Sequence, residues 1–278
     1  MTKYTSLLIP ALLASVAATP AFAQSSDEEH WEGGYIGGSF GLGAQNNDRD
    51  ENVQFDANLD GNFDDTVNTV TGANAFAPGF CGGGANSALP TDGCRSDRDG
   101  LEYFIKAGYD TQYGNLVIGA LVEGGRSESV DRVTAFSSTP AFYTFERKMD
   151  YSVGARGRIG VAAKGALFYG TGGVTYGRIK NRFTTNNGVN SFSDNGKTWS
   201  WGYTVGGGAE IKVAENLSMG LEYLHSNFVD DDFVVAVGPG TAGLTNPFRR
   251  ANPNGTNLRR GDSDFETHNI RLTASIRF

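Results

Sequence analysis

The stretch whose reading decides the fold is residues 266–278, ETHNIRLTASIRF. Ile270, Leu272, Ala274, Ile276 and Phe278 share one parity, and Asn269, Arg271, Thr273, Ser275 and Arg277 share the other. Successive side chains of a strand point to opposite faces, so this segment is a strand with one apolar and one polar face.

The same period recurs along the chain. In WSWGYTVGGGAEIKV, Trp199, Trp201, Tyr203, Val205, Ala209, Ile211 and Val213 alternate with Gly202, Thr204, Glu210 and Lys212. In DYSVGARGRIGV, Tyr151, Val153, Ala155, Ile159 and Val161 alternate with Ser152, Arg156 and Arg158. Eight such segments are predicted: 31–44, 101–112, 115–126, 147–163, 166–180, 197–213, 217–229 and 265–278. Short connections (112–115, 164–165, 214–216) alternate with long ones (45–100, 127–146, 181–196, 230–264). A sandwich has no reason to place every long connection at one end, whereas a barrel in lipid combines tight periplasmic turns with extended outer loops. The expectation is therefore an all-β, eight-stranded antiparallel transmembrane β-barrel. Closure is demanded because an open edge would leave backbone groups unpaired in hydrocarbon.

Lipid inverts the usual rule, so the apolar parity faces out and the polar parity faces in. Lys106, Glu123, Arg156, Arg158, Glu210, Glu222 and Arg271 all lie opposite apolar sets and are predicted to fill the interior. Charges of both signs in one enclosed space should pair, because unpaired buried charge is costly. The first segment, WEGGYIGGSFGLG, is too rich in glycine for its faces to be assigned.

The remaining bulk properties agree. Mean hydropathy is −0.33, and no apolar run after the N-terminus approaches the roughly 18 residues of a spanning helix. A barrel wall shows only one apolar residue in two, so hydropathy does not exclude it. The net charge of −8 argues against a nucleic-acid partner, which needs a basic footprint. The N-terminus carries Lys3, an apolar stretch from Leu7 to about Ala18 and Ala21-Phe22-Ala23, the three parts of a cleaved signal peptide over 1–23. The exported domain is then 24–278. In an oxidising compartment Cys81 and Cys94 most simply form one local disulfide, stabilising the loop by roughly 3 kcal/mol. A metal pair is the alternative, with no second Cys pair or His nearby.

With these features in place, HWEGGYIGGSFGLG, ALFYGTGGVTYGRI, GYTVGGGAEIKVAENLSMGLEYLHSNF and IRLTASIRF resemble the eight-stranded Gram-negative outer-membrane barrel family, more narrowly its surface-antigen or opacity-like porin branch. The resemblance implies residence in the cell outer membrane, contact with lipid and lipopolysaccharide, support of envelope integrity, and pore activity in some members. It implies no catalytic residues. Phe278 resembles the terminal aromatic that the barrel-assembly machinery reads during insertion. The first long loop, 45–100, exceeds what the family leads one to expect.

The loops carry the remaining candidate chemistry. DANLDGNFDD places Asp56, Asn58, Asp60, Asn62 and Asp64 like the opening of a calcium loop, with Gly61 at the sharp turn and Val67 where the closing Glu would stand. A weak calcium site competes here with a solvated acidic turn, and no other cofactor is indicated. His225 and Ser226 invite comparison with barrels that deacylate lipid A through a lipid-facing His and Ser. Adjacent strand residues face opposite ways, however, so no enzyme is expected. His268 and Asp264 at the outer end of the last strand suggest a protease-like dyad, against which stands an exposed loop-edge His, and His30 precedes the first strand. Arg249, Arg250, Arg259 and Arg260 are either a grip for lipopolysaccharide phosphates or solvated loop charges balancing Asp230, Asp231 and Asp232. The functional expectation is a structural, surface-displaying barrel. The alternatives are a small-solute porin, or an adhesin or calcium-dependent binding surface for an extracellular or host partner.

Overall fold

The computed structural model describes residues 30–45 and 51–278; the signal-peptide reading of 1–23 lies outside these. In chain order the strands are β1 (Gly33–Ala44), β2 (Val53–Asp56), β3 (Phe80–Gly82), β4 (Gly84–Ala85), β5 (Cys94–Arg95), β6 (Gly100–Tyr113), β7 (Leu116–Ser127) and β8 (Val130–Ser137). They continue as β9 (Ala141–Ala163), β10 (Ala166–Thr185), β11 (Ser191–Asp194), β12 (Lys197–Ala214), β13 (Leu217–Val229), β14 (Val234–Gly238), β15 (Thr256–Arg260) and β16 (Asp264–Arg277).

Eight of these close a ring in the order β1, β6, β7, β9, β10, β12, β13, β16 and back to β1, every neighbour antiparallel. The closing seam joins first and last strands: Tyr35 pairs with Arg277 and Leu42 with Ile270. The ring leaves no edge strand unpaired over its height. Tight turns form one end. Lys164 and Gly165 both hold positive φ, 49° and 79°, the two-residue hairpin whose twist matches that of its strands.

Parity sorts the wall. On β16, Leu272 is 63% exposed and Arg271 3%. Ile36, Phe40 and Leu42 face out from β1 while Tyr35 and Ser39 are buried, which settles the strand that sequence could not orient. Trp199, Trp201, Tyr203, Tyr151 and Tyr176 cluster outside at the upper end of the apolar band, as an interfacial aromatic belt.

The four long connections differ from the loops expected of them. β9 and β10 run on past the belt, pairing as far as Tyr143 with Thr185, and β8 folds back on the upper part of β9. Connections one, three and four contribute β2, β11, β14 and β15 to a separate four-stranded sheet in the order β11-β14-β15-β2. Between these layers lies the largest apolar core of the described residues, including Phe55, Phe76, Tyr143, Phe145, Phe233 and Phe248. The physical reason is burial: β8 and the outer part of β9 carry Val133, Ala135, Tyr143 and Phe145 on one face, too much apolar surface to leave in water. Cys81 and Cys94 are disulfide-bonded, with Cα atoms 6.5 Å apart, closing the small β4-β5 hairpin.

Candidate functional site

The interior of the ring is the first candidate, because it decides whether the barrel can pass anything. It is built in layers. At the turn end, Trp31, Val117, Ala162, Leu167 and Tyr169 form an apolar floor. Trp31 is anchored there, its backbone N–H donating to Gln112 Oε1 at 2.6 Å.

Above the floor stands a column of ion pairs. Arg158 bonds Asp110 and, at 2.9 Å, Glu210; Lys106 lies 3.6 Å from the same Glu210. Arg277 reaches Asp110 at 2.8 Å. One layer up, Arg156 holds Glu123 at 2.9 Å and Glu222 at 3.0 Å, and Arg271 holds Glu102 at 3.0 Å and Glu123 at 3.5 Å. Each arginine spans strands, so the pairs cross-brace the wall. Aromatic faces complete the packing: Arg158 lies 4.6 Å over Tyr35, and Arg271 3.9 Å over Phe104, the geometry of a cation–π contact. Glycine supplies the room. A Cβ at Gly119 would stand 2.0 Å from Asp110 Oδ1, and one at Gly108 2.5 Å from the Tyr35 ring.

All seven interior charges predicted from parity lie in this column. Glu102, Asp110 and Arg277 belong to it too, and were missed although each shares parity with a residue that was named: the first two with Lys106, the third with Arg271.

At the far end Met149, Ile179, Phe228 and Phe265 form an apolar ceiling. Over it lies a charged collar beneath the outer core. Asp131 receives Arg147 and Arg260, the latter at 3.0 Å, and Arg260 also bonds Glu51. Burial pushes Glu51 up to about 7 against the pull of Arg260, and pushes Asp97 up to about 7, with Asp131 and Glu51 adding repulsion. Burial would raise Asp131 as well, but Arg260 and Arg147 outweigh it and hold it below the ordinary carboxylate range.

The arginines expected on the outer surface are therefore reassigned. Arg260 is buried in the collar. Arg259 stacks 4.3 Å over Phe63 and donates to Gln54. Arg249 is spent on the carbonyls of Pro253 and Ala242. Arg250 alone of the four is exposed.

The acidic loop turns on itself. Asp56 accepts the N–H groups of Asp60 at 3.0 Å and Gly61 at 3.2 Å, and the Asn257 amide at 3.3 Å. Asp60 accepts the Asn62 N–H and the Asn58 side chain, and these two contacts hold its carboxyl below the usual range. Asn62 and Asp64 are exposed. No three acidic groups of this loop share a cation-sized space; among the described residues one triad of His, Cys, Asp or Glu does, and it lies elsewhere, at His225, Glu266 and His268.

Ser226 is buried and bonded to Thr204, while the neighbouring His225 lies on the opposite, outward parity, so the two do not meet. His268 bonds Tyr223 Oη at 2.7 Å, and Asp264 stands four residues away at the strand end. His30 lends its carbonyl to Lys212 Nζ at 2.6 Å. Phe278 lies outside, 79% exposed, with its N–H on the Gly34 carbonyl at 2.9 Å.

The outer membrane protein beta-barrel domain family matches residues 9–278. The 31 kDa outer-membrane immunogenic protein of Brucella melitensis biotype 1 is 29% identical over 245 residues, spanning 82% of this chain and 85% of that protein. The 22 kDa outer membrane protein of Rhizobium leguminosarum bv. viciae is 32% identical over 167 residues, spanning 59% of this chain and 71% of that protein. Among solved structures, the outer membrane protein OprG of Pseudomonas aeruginosa superposes with a TM-score of 0.49 at 12% identity, covering 91% of this chain and 100% of that one. On the family match and these relatives, the chain belongs to the outer membrane protein beta-barrel domain family and is an integral β-barrel protein of the outer membrane.

Proposed function

We propose that this barrel is a closed, non-catalytic structural element of the outer membrane that carries a folded outer layer at the cell surface. The observation behind this reading is the filled interior. Floor, ion-pair column, ceiling and collar follow one another along the axis, and the cavity left beside Glu102, Phe104 and Arg271 is about 20 Å³. A space of that order holds a single water. The outer core supports the display role, as does the word "immunogenic" in the name of the Brucella relatives.

For contact with lipopolysaccharide the wall offers better support than the fourth loop. Arg126, Arg178 and Lys180 converge on one carboxylate, Asp150, at the level of Tyr151 and Trp199. The Arg126 and Lys180 side chains remain 51% and 44% exposed. Three cations on one anion leave positive charge available to a lipid phosphate at the membrane surface. The exposure of Phe278 on the outer face of the closing seam supports the reading that the assembly machinery takes it as part of an insertion signal.

Conductance in planar bilayers tests the closed barrel. The purified protein, confirmed as folded by a heat-modifiable mobility shift, is expected to give no steady unitary steps. Reproducible ohmic steps would establish the small-solute pore instead.

A further inference from the structure

Outside the interior column, one cluster of side chains has the makings of a metal centre. His225 on β13 and His268 on β16 are direct register partners, and Glu266 precedes His268 by two residues on the same outward face, opposite Asn227. One ligand atom from each of the three lies within 4.8 Å of the others, and all three residues are half-buried. The imidazole centroids are 5.0 Å apart. The cluster sits at the upper edge of the apolar band. Tyr203 is level with Glu266 across the sheet, and Tyr223 and Ile270 form the next outward pair below.

Two of the three ligands are held by hydrogen bonds to neighbours on the wall. Tyr223 Oη lies 2.7 Å from His268 Nδ1, so that ring can present Nε2. The Asn227 amide donates to Glu266 Oε1 at 3.2 Å, leaving Oε2 to coordinate. His225 Nδ1 is buried and has no hydrogen-bond partner, and its ring packs 6.0 Å from Tyr203. Metal-binding imidazoles characteristically hydrogen-bond through their second nitrogen, as His268 does here, and carboxylate ligands are likewise hydrogen-bonded, as Glu266 is.

We propose that His225, His268 and Glu266 bind one divalent transition-metal ion of the zinc class on the outward wall of the barrel. Two imidazoles and one carboxylate suit zinc, copper or nickel, whereas calcium and magnesium take oxygen ligands. Zinc bonds of about 2.0–2.1 Å place tetrahedral ligands roughly 3.3 Å apart. Small χ rotations therefore bring the three donors onto one ion, and a fourth position stays open toward the headgroup region. The inference is independent of whether the barrel conducts.

The test uses the full-length folded protein in detergent micelles, titrated calorimetrically with zinc alone at neutral pH. One ion per barrel with micromolar or tighter affinity is expected. The double variant H225A/H268A should weaken binding at least 100-fold, and Glu266→Gln at least tenfold. Tyr223→Phe, a change to a positioning residue, should cost about tenfold while the heat-modifiable shift stays intact, and calcium should not compete. A second measurement needs no variant: bound zinc should protect His225 and His268, and not His30, from carbethoxylation mapped by mass spectrometry. Absence of one-to-one binding, unchanged affinity in the double variant, or equal labelling with and without zinc would overturn the proposal.

Discussion

At the scale of single residues, the interior arginines bear the heaviest consequences. Arg158 is buried in contact with Asp110 and Glu210 and lies 4.6 Å and 5.1 Å from the ring centres of Tyr35 and Tyr169. Removing it leaves two carboxylates buried without their main partner, which costs more than the pair itself contributes. Arg158→Met should lower the unfolding free energy by about 3–5 kcal/mol, read from urea titrations of the folded band in lipid vesicles. A loss below about 1 kcal/mol would mean that water reaches this layer freely. At the same scale sequence was an effective guide to position and a poor one to partnership. Arg156 and Glu222 could be placed indoors by parity, yet their salt bridge joins β9 to β13, and nothing in the local pattern sets that distance. His225 and His268 show the same limit. Each was visible, but a long connection separates their strands, so their register became known only once the ring was closed.

At the scale of elements, the eight staves were legible because one wall facing lipid enforces strict alternation over ten or more residues. The outer layer was not legible. Its strands β2, β11, β14 and β15 are four or five residues long, too short for a period to register, and Asp56 pairs with Asn257 across about two hundred residues. What betrayed it in hindsight was composition: Phe55, Phe76, Phe233 and Phe248 are many aromatics for solvated loops. Phe145 sits at the heart of this layer, edge-on to Phe183 and Phe233. Phe145→Ala should cost the outer core about 3–5 kcal/mol. The expected result is rapid tryptic cleavage in the outer layer, at Arg259 and Arg260, while the barrel keeps its heat-modifiable shift. Loss of both together would show that the layer and the ring fold as one unit.

At the scale of the molecule, the layers couple through the charged collar, and this gives the outer layer a pH response. Glu51 and Asp97 have folded values near 7, above those of an unfolded chain. Between the two values the folded state binds more protons than the unfolded, so stability falls as pH rises through about 7 and recovers as pH falls toward 5. Asp131, held low, opposes this only in stronger acid. Hydrogen exchange across β2, β8 and β15 should therefore be slower at pH 5.5 than at pH 8 after correction for intrinsic rates, and Glu51→Gln should flatten the difference. Exchange protection that is greater at pH 8 would reverse the assignment.

The central claim is that the oily parity meets hydrocarbon and the charged parity is enclosed, and spin labels along β16 test it most directly. With the native disulfide intact, single cysteines at Leu272, Thr273, Ala274 and Ser275 would be labelled in lipid vesicles, and their collisions with oxygen and with a water-soluble nickel chelate compared. Labels at 272 and 274 should be strongly relaxed by oxygen, and those at 273 and 275 shielded from both agents. Free access of the nickel chelate to 273 and 275, or loss of the alternation, would contradict a sealed barrel.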